Sequence, residues 1–171
     1  FMLTSFNPGS GKSFLAMNIA MSFAIKKKRI LVIGGDLRHG STSSYVDSPK
    51  TGLSDYLGNR VSDWKEIIVK DEKYDNLHII PIGTVPPNPT ELLEDGKLAT
   101  LIEVLRSEYD YIFIDCPPID IVADAQIIEK LADRTVFVVR SGLLDRSMLP
   151  ELENIYQEKR FKNLSVILNG T

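Results

Sequence analysis

The chain alternates between short apolar runs and longer segments in which apolar residues have helical spacing. The apolar runs, rich in β-branched and aromatic residues, predict six strands, at residues 1–5, 30–34, 77–82, 111–115, 135–140 and 164–169. The longer segments predict helices at residues 12–26, 96–107, 124–131 and 148–159. Strands that alternate with helices form a mostly parallel sheet with helices on both faces. The pattern therefore predicts an α/β fold.

Two parts of the chain are unusual, the strand at 111–115 because it is apolar throughout and the segment at 35–76 because it is irregular. Residues 111–114 read Tyr-Ile-Phe-Ile, a continuous apolar run that is typical of a strand buried on both faces. Residues 35–76 are the least regular part of the chain and predict a loop with short helices near Leu53 and Trp64. Ligands of open α/β sheets bind beyond the carboxyl ends of the strands, so loops at that edge are expected to form the site.

Composition limits the classes of protein to consider. The 171 residues suit one domain, with 43% hydrophobic residues and a net charge of −3, so we expect no nucleic-acid partner. The longest apolar stretch, residues 14–25, includes Asn18 and Ser22 and is shorter than the roughly 20 residues that span a bilayer. Cys116 is the single cysteine, which excludes an internal disulfide, and the two histidines are too isolated to suggest a metal site.

The run Asn7-Pro8-Gly9-Ser10-Gly11-Lys12-Ser13 lies between the first predicted strand and the first predicted helix. A glycine-rich turn lets the backbone wrap around an anion, and the following helix start presents unpaired N–H groups to it. Lys12 can reach the outer phosphates and the Ser13 hydroxyl can bind magnesium. The run predicts a P-loop NTPase. The expected nucleotide contacts are Pro8, Gly9, Ser10, Gly11, Lys12, Ser13 and Phe14, although Phe6 stands where a glycine usually opens the loop.

Two aspartates follow predicted strands at the edge where the loop lies. Asp115 ends the apolar strand and precedes Cys116-Pro117-Pro118, which stops the strand and fixes the direction of the loop. In a P-loop enzyme such a carboxylate holds magnesium, often through water. Asp36 follows the strand at 30–34 in the same way. It could position a nucleophile or simply pair with Arg38, and the sequence leaves both open.

Two further polar residues have an ordinary structural explanation. Asp124 opens a predicted helix, and we expect its carboxylate to cap that helix by accepting a backbone N–H bond. Asn169 ends the last predicted strand, where it could hydrogen-bond an adenine edge, although Asn-Gly is also a common turn pair. We include Asn169 among the nucleotide-binding residues.

Four segments together resemble the bacterial tyrosine kinases of capsule and exopolysaccharide export. They are Thr4 to Ser13, Ile33-Gly34-Gly35-Asp36-Leu37-Arg38, Gly83 to Leu93 with its Pro86-Pro87-Asn88-Pro89, and Ile114 to Pro118. The resemblance spans nearly the whole chain, and the Pro-Pro-Asn-Pro segment is its most discriminating part. It identifies the first segment as Walker A, the second as the additional Walker A′ motif, and Asp115 as the Walker B carboxylate.

The resemblance implies roles for these residues. Lys12, Asp36 and Asp115 would be catalytic, and Ser13 and Asp115 would hold the metal. The implied reaction is transfer of the ATP γ-phosphate to tyrosine, with ATP and Mg²⁺ required. The implied partners are tyrosines of sister subunits in a homo-oligomer and a transmembrane chain-length or export protein, part of the same chain or separate. The domain would lie in the cytoplasm as part of a bacterial inner-membrane protein that regulates capsular or exopolysaccharide biosynthesis and export.

The chain departs from the family pattern at one site position. Gly34 stands where the family usually has the first Walker A′ aspartate, a residue assigned to magnesium positioning and to activation of the tyrosine hydroxyl. The family's arginine-containing helix before the first strand and its tyrosine cluster near the C terminus are also missing. We therefore expect residues 1–171 to be a single ATP-binding kinase domain truncated at both ends.

Two other functions remain open on the sequence. A ParA/MinD-type switch ATPase would share the architecture, but its usual extra lysine would fall at Asn7, and the Pro-Pro-Asn-Pro segment counts against it. A nucleotide-binding scaffold with weak or absent phosphoryl transfer is compatible with Gly34.

Overall fold

A sheet of seven strands organises the described part of the chain, which is residues 1–46, 49–119 and 123–170 of the computed structural model. The strands are β1 (Met2–Thr4), β2 (Ile30–Gly34), β3 (Val69–Lys70), β4 (Leu77–Ile80), β5 (Tyr111–Asp115), β6 (Thr135–Arg140) and β7 (Ser165–Asn169). Their order in the sheet is β3-β4-β2-β5-β1-β6-β7. The neighbouring strands are parallel except for β3, which pairs antiparallel with β4 at one edge.

Helices cover both faces of this sheet. They are α1 (Lys12–Ile25), α2 (Leu53–Leu57), α3 (Pro89–Glu94), α4 (Lys97–Glu108), α5 (Asp124–Glu129) and α6 (Leu149–Gln157), with short 3₁₀ helices at Ser41–Val46, Trp64–Ile67 and Arg146–Met148. Apolar residues of α1 pack on one face with Ile30 and Val32, whereas α3 to α6 contribute to the core on the other face with Leu31 and Ile33. Successive residues of β2 thus enter opposite cores, which explains why its sequence is apolar throughout.

The predicted strands and helices are confirmed, and their ends either coincide with those in the structure or differ by one or two residues. The strand predicted at 77–82 ends at Ile80, because Pro81 has no N–H to continue the ladder. The helix predicted at 12–26 ends at Ile25, and Lys27 then takes a left-handed conformation with φ 59°. The helix predicted at 148–159 is shorter, Leu149–Gln157, and follows a 3₁₀ turn.

Strand β3 and helix α3 were not predicted, and neither were the 3₁₀ helices Ser41–Val46 and Arg146–Met148. Strand β3 has only two residues, too few for an alternating pattern to be visible. The neighbouring prolines indicated a loop rather than helix α3. Pro89 is nevertheless the first residue of this helix, a position at which the N–H has no partner within the helix and its absence costs no hydrogen bond. The last residue of the Pro86-Pro87-Asn88-Pro89 segment is therefore held in place as the first residue of α3.

The topology gathers the predicted site residues at one edge of the sheet. The chain places β2 to β5 on one side of β1 and β6 and β7 on the other, so β1 lies where the winding direction changes. Such a position is where open α/β sheets bind ligands, at the carboxyl ends of the strands. The loop 5–11 leaves β1 at this point, next to the carboxyl ends of β5 and β6.

Candidate functional site

The loop between β1 and α1 is shaped to hold an anion. Gly9 and Gly11 have φ values of 73° and 92°, in the left-handed region that favours glycine. A Cβ at Gly9 would meet nothing within 4 Å, so the backbone is open to a ligand there. The Ser10 hydroxyl donates to the Asn7 carbonyl at 2.7 Å and tightens the turn. No side chain among the described residues caps the start of α1, which leaves the helix N–H groups available to phosphate oxygens.

Lys12 lies at the base of this loop. Its side chain is largely buried, and Nζ donates to Ser5 Oγ at 3.1 Å. Burial lowers the pKa of Lys12, and the nearby Asp115 and Asp36 carboxylates oppose that shift. A weakly hydrated ammonium is well suited to bind an anion, because little water must be removed from it.

Asp115 is the centre of a hydroxyl–carboxylate cluster. Its Oδ2 accepts hydrogen bonds from Ser13 Oγ at 2.5 Å and from Thr42 Oγ1 at 2.7 Å. Its Oδ1 is buried and has no hydrogen-bond partner among the described residues. Burial raises the pKa of Asp115, whereas the two hydroxyl donors and Lys12 act in the opposite direction.

This cluster fits magnesium. The ion prefers hard oxygen ligands, takes few of them from protein, and completes its shell with water and substrate phosphates. Ser13 Oγ and the unpartnered Asp115 Oδ1 are such oxygens, and they lie beside the phosphate loop. The described residues contain no group of three or more His, Cys, Asp or Glu side chains that could hold a metal alone. With these two protein oxygens, the site suits a magnesium ion that takes its remaining ligands from water and phosphate.

Thr42 was missed in the sequence analysis. It belongs to the 3₁₀ helix Ser41–Val46 and is buried against Asp115. The adjacent Ser43 anchors this segment by accepting a bond from the Ile82 backbone N–H at 3.1 Å. The serine- and threonine-rich sequence suggested only a loop, because nothing in it indicated which hydroxyl turns inward.

Asp36 lies in a tight turn just after β2. The backbone N–H groups of Gly35 and Asp36 donate to the Asp115 carbonyl at 2.8 and 3.0 Å, which ties the two aspartates together. Asp36 Oδ1 accepts from the N–H groups of Arg38 and His39, and Oδ2 lies 3.1 Å from His39 Nδ1. The alternative in which Asp36 pairs with Arg38 holds only for the Arg38 backbone N–H, because the Arg38 guanidinium contacts Asp124 instead.

The expected capping role of Asp124 is also wrong. Asp124 is the first residue of α5, the N-cap is Ala123, and no side chain in the described ranges provides the cap. The Asp124 carboxylate is fully buried and instead accepts bonds from Arg38 and Thr90.

Residues at the ends of β6 and β7 hold the phosphate loop from the other side. Asn169 Nδ2 donates to the Ser10 carbonyl at 2.9 Å, and Arg140 donates to the Gly9 carbonyl at 2.7 Å. Asn169 also explains Gly11, since a Cβ there would lie 2.3 Å from Asn169 Nδ2. Arg140 was not predicted as a site residue. Of the expected nucleotide contacts, Pro8 in the loop and Phe14 in the first turn of α1 are exposed.

Gly34, the position without the family aspartate, is closely packed. It pairs with Asp115 across β2 and β5. A Cβ on Gly34 would lie 3.0 Å from Ile82 Cγ2 and 3.4 Å from the Ile82 nitrogen. A side chain at this position would therefore require Ile82 to shift slightly.

Comparison with known proteins finds relatives along nearly the whole chain. Residues 2–141 match the family model described as AAA domain. The chain is 33% identical over 169 residues to the putative tyrosine-protein kinase CapB of Staphylococcus aureus, covering 98% of this chain and 73% of that protein. None of the helices in the described ranges has the length and apolar character needed to cross a membrane.

Solved structures give the same relationship. The kinase domain of Escherichia coli tyrosine kinase ETK superimposes with a TM-score of 0.90 at 31% identity, covering 99% of this chain and 66% of that one. MinD of Pyrococcus horikoshii, complexed with Mg-ADP, has a TM-score of 0.77 at 21% identity over 98% of this chain and 68% of its own, a likeness of fold alone. The fold is that of the P-loop NTPases, and the chain belongs to the bacterial tyrosine-protein kinase family.

Proposed function

We propose that residues 1–171 form a single kinase domain that transfers the γ-phosphate of ATP to tyrosine hydroxyls. The observation that carries this proposal is the Ser13–Asp115 contact of 2.5 Å at the foot of the phosphate loop, with Asp115 Oδ1 left without a partner among the described residues. This is a ready pair of oxygens for a metal that accompanies a nucleotide.

The site residues form two groups, one that binds ATP and one that acts on the acceptor tyrosine. The loop N–H groups and Lys12 bind and orient the β- and γ-phosphates, which places phosphorus for in-line attack. Ser13 and Asp115 would hold Mg²⁺, which when bound offsets the negative charge of the phosphate oxygens. Asn169 and Arg140 keep the loop in its binding shape. We propose that Asn169 also contacts the nucleoside side of the ligand.

Asp36 is the proposed acceptor-side residue. The tyrosine oxygen forms a bond to the γ-phosphorus while the bond from that phosphorus to the bridging oxygen of ADP breaks. The hydroxyl proton passes to the Asp36 carboxylate. The products are phosphotyrosine and ADP. His39, 3.1 Å from Asp36 Oδ2, lies where it can relay that proton to water.

The names of relatives support a role in polysaccharide production. One relative, 35% identical, is named putative tyrosine-protein kinase in the cps region of Klebsiella pneumoniae, and this chain covers 23% of it. We infer that the domain acts in the cytoplasm on tyrosines of sister subunits in a homo-oligomer. It would work with a transmembrane chain-length or export protein that controls capsular or exopolysaccharide synthesis.

Incubation with γ-³²P-ATP and Mg²⁺ tests the proposal, with label measured on tyrosine and as free phosphate. Label on the chain's own tyrosines or on a glutamate–tyrosine copolymer is the expected result, and Lys12→Met should abolish it. Free phosphate without phosphotyrosine would contradict a kinase and favour a switch ATPase of the MinD type. Nucleotide binding with neither product would favour a scaffold, the interpretation that Gly34 supports.

A further inference from the structure

A closed ring of hydrogen bonds joins three segments beside the candidate site. Arg38 Nε donates to Asp124 Oδ2 at 3.1 Å, and the Thr90 hydroxyl donates to Asp124 Oδ1 at 2.6 Å. A second Arg38 nitrogen donates to Thr90 Oγ1 at 3.1 Å and closes the ring. The three residues come from the turn after β2, the start of α3 and the start of α5.

The ring satisfies a buried charge. The Asp124 side chain is 0% exposed, whereas the Arg38 side chain is 34% exposed. A carboxylate at this depth is costly unless it is paired and hydrogen-bonded, and here both oxygens have partners. Hydrogen bonds to charged groups are stronger than neutral ones, so the Arg38 guanidinium is held in one orientation.

Holding Arg38 also fixes Asp36. The backbone N–H of Arg38 donates to Asp36 Oδ1, and the N–H of the next residue, His39, donates to the same oxygen. If the Arg38 side chain were released, this turn would keep its contact to Asp115 but lose its tie to α3 and α5. The position of the Asp36 carboxylate therefore depends on residues that do not touch it.

We propose that Thr90 and Asp124 are positioning residues that act through Arg38 to hold Asp36 for the acceptor tyrosine. The inference rests on the proposed function, which assigns Asp36 to the acceptor hydroxyl. It also explains what the Pro86-Pro87-Asn88-Pro89 segment contributes, because Pro89 opens α3 and thereby sets Thr90, the next residue, against Asp124.

Removing one hydroxyl tests the proposal. Thr90→Val keeps the shape and loses both of the ring's bonds to Thr90, and Thr90→Ser keeps the hydroxyl. Displacement of a reacting group by an ångström can cost up to about 100-fold in rate. We expect kcat for tyrosine phosphorylation to fall about 10- to 100-fold in Thr90→Val and Asp124→Asn, with nucleotide Kd unchanged within about 2-fold. Thr90→Ser should restore most of the rate.

The matched control is another arginine–aspartate pair. Arg106 contacts Asp133 with bonds of 2.8 and 3.0 Å just before β6, at the opposite end of the strands from the site. Asp133→Asn breaks an arginine–aspartate pair that is more exposed, with the Asp133 side chain 69% exposed, and should leave kcat unchanged. Equal kcat in Thr90→Val and the unaltered chain, or an equal loss in Thr90→Ser and Thr90→Val, would overturn the proposal.

A second readout does not depend on phosphoryl transfer. The chain has two histidines, and the His39 ring contacts Asp36 while His78 lies on β4, where its Nδ1 is 2.7 Å from the Tyr109 hydroxyl. In Thr90→Val the ring carbon–proton NMR signals of His39 should shift, and those of His78 should stay in place. Unmoved His39 signals would contradict the positioning role. If the unaltered chain labels no tyrosine, the proposed function fails. The His39 signals still decide whether the hydrogen-bond ring of Arg38, Thr90 and Asp124 positions Asp36.

Discussion

At the scale of single residues, Asp115 shows that the site is kept at a cost to stability. Its carboxylate is buried, one oxygen has no partner among the described residues, and burial raises its pKa. A raised pKa means that the folded chain favours the neutral form, so ionisation of Asp115 opposes folding. Protein binding sites commonly hold such groups, because a ligand later supplies the missing interaction.

Asp115→Asn should therefore stabilise the nucleotide-free chain in a pH-dependent way. Below the ordinary pKa of aspartate both chains have a neutral group, and the difference should be small. As pH rises through the raised pKa of Asp115, the unaltered chain loses stability that the asparagine variant keeps. Urea unfolding between about pH 4 and pH 8 measures this difference. A difference that does not grow with pH would contradict the prediction.

Gly34 gives a second prediction at this scale. Gly34→Asp supplies the carboxylate that the family usually has, so phosphotyrosine formation should rise. The new Cβ approaches Ile82 to 3.0 Å, and overpacking of this kind costs about 1–3 kcal/mol. Gly34→Asn is the matched control, because it has the same shape and the same crowding without the charge. The prediction would be contradicted if autophosphorylation were no higher in Gly34→Asp than in the unaltered chain and Gly34→Asn.

The separation of residues along the chain decided what could be predicted at the site. The phosphate loop and Asp115 were recognisable because each lies within a short run with a known role. Thr42 is 73 residues from Asp115, and Arg38 is 86 residues from Asp124. Contacts of that kind depend on which strands become neighbours, and no local pattern reveals which polar residue faces inward.

At the scale of elements, the sheet was predictable because alternating apolar and helical segments leave few ways to bury both faces. The short helices near Leu53 and Trp64 were also predicted and are confirmed, but β3 and α3 were not, since β3 has two residues and α3 is opened by proline. The ends of β6 and β7 have a role beyond the core. They present Arg140 and Asn169, which bind carbonyls of the phosphate loop.

Arg140→Met should weaken nucleotide binding by about 3- to 10-fold, since one hydrogen bond holding the Gly9 carbonyl is worth roughly 1 kcal/mol. The loop would then have to be ordered by the ligand. Calorimetric titration with ADP and Mg²⁺ measures the change. Arg134→Met is the control, because Arg134 immediately precedes the other end of the same strand β6. Equal affinity in the two variants would show that Arg140 does not support the loop.

At the scale of the whole molecule, the position of β1 has a consequence for folding. Met2 lies opposite Ile114 on one side and Thr135 on the other, so β1 finds no partner until most of the chain is available. Contacts between residues so far apart in sequence form late in folding, because closing the long intervening loop costs conformational entropy. During synthesis the phosphate loop is made before β5 to β7, the strands that complete its surroundings. The loop is thus made before the strands that give it its binding shape, and the nascent chain cannot hold nucleotide before its sheet is nearly complete.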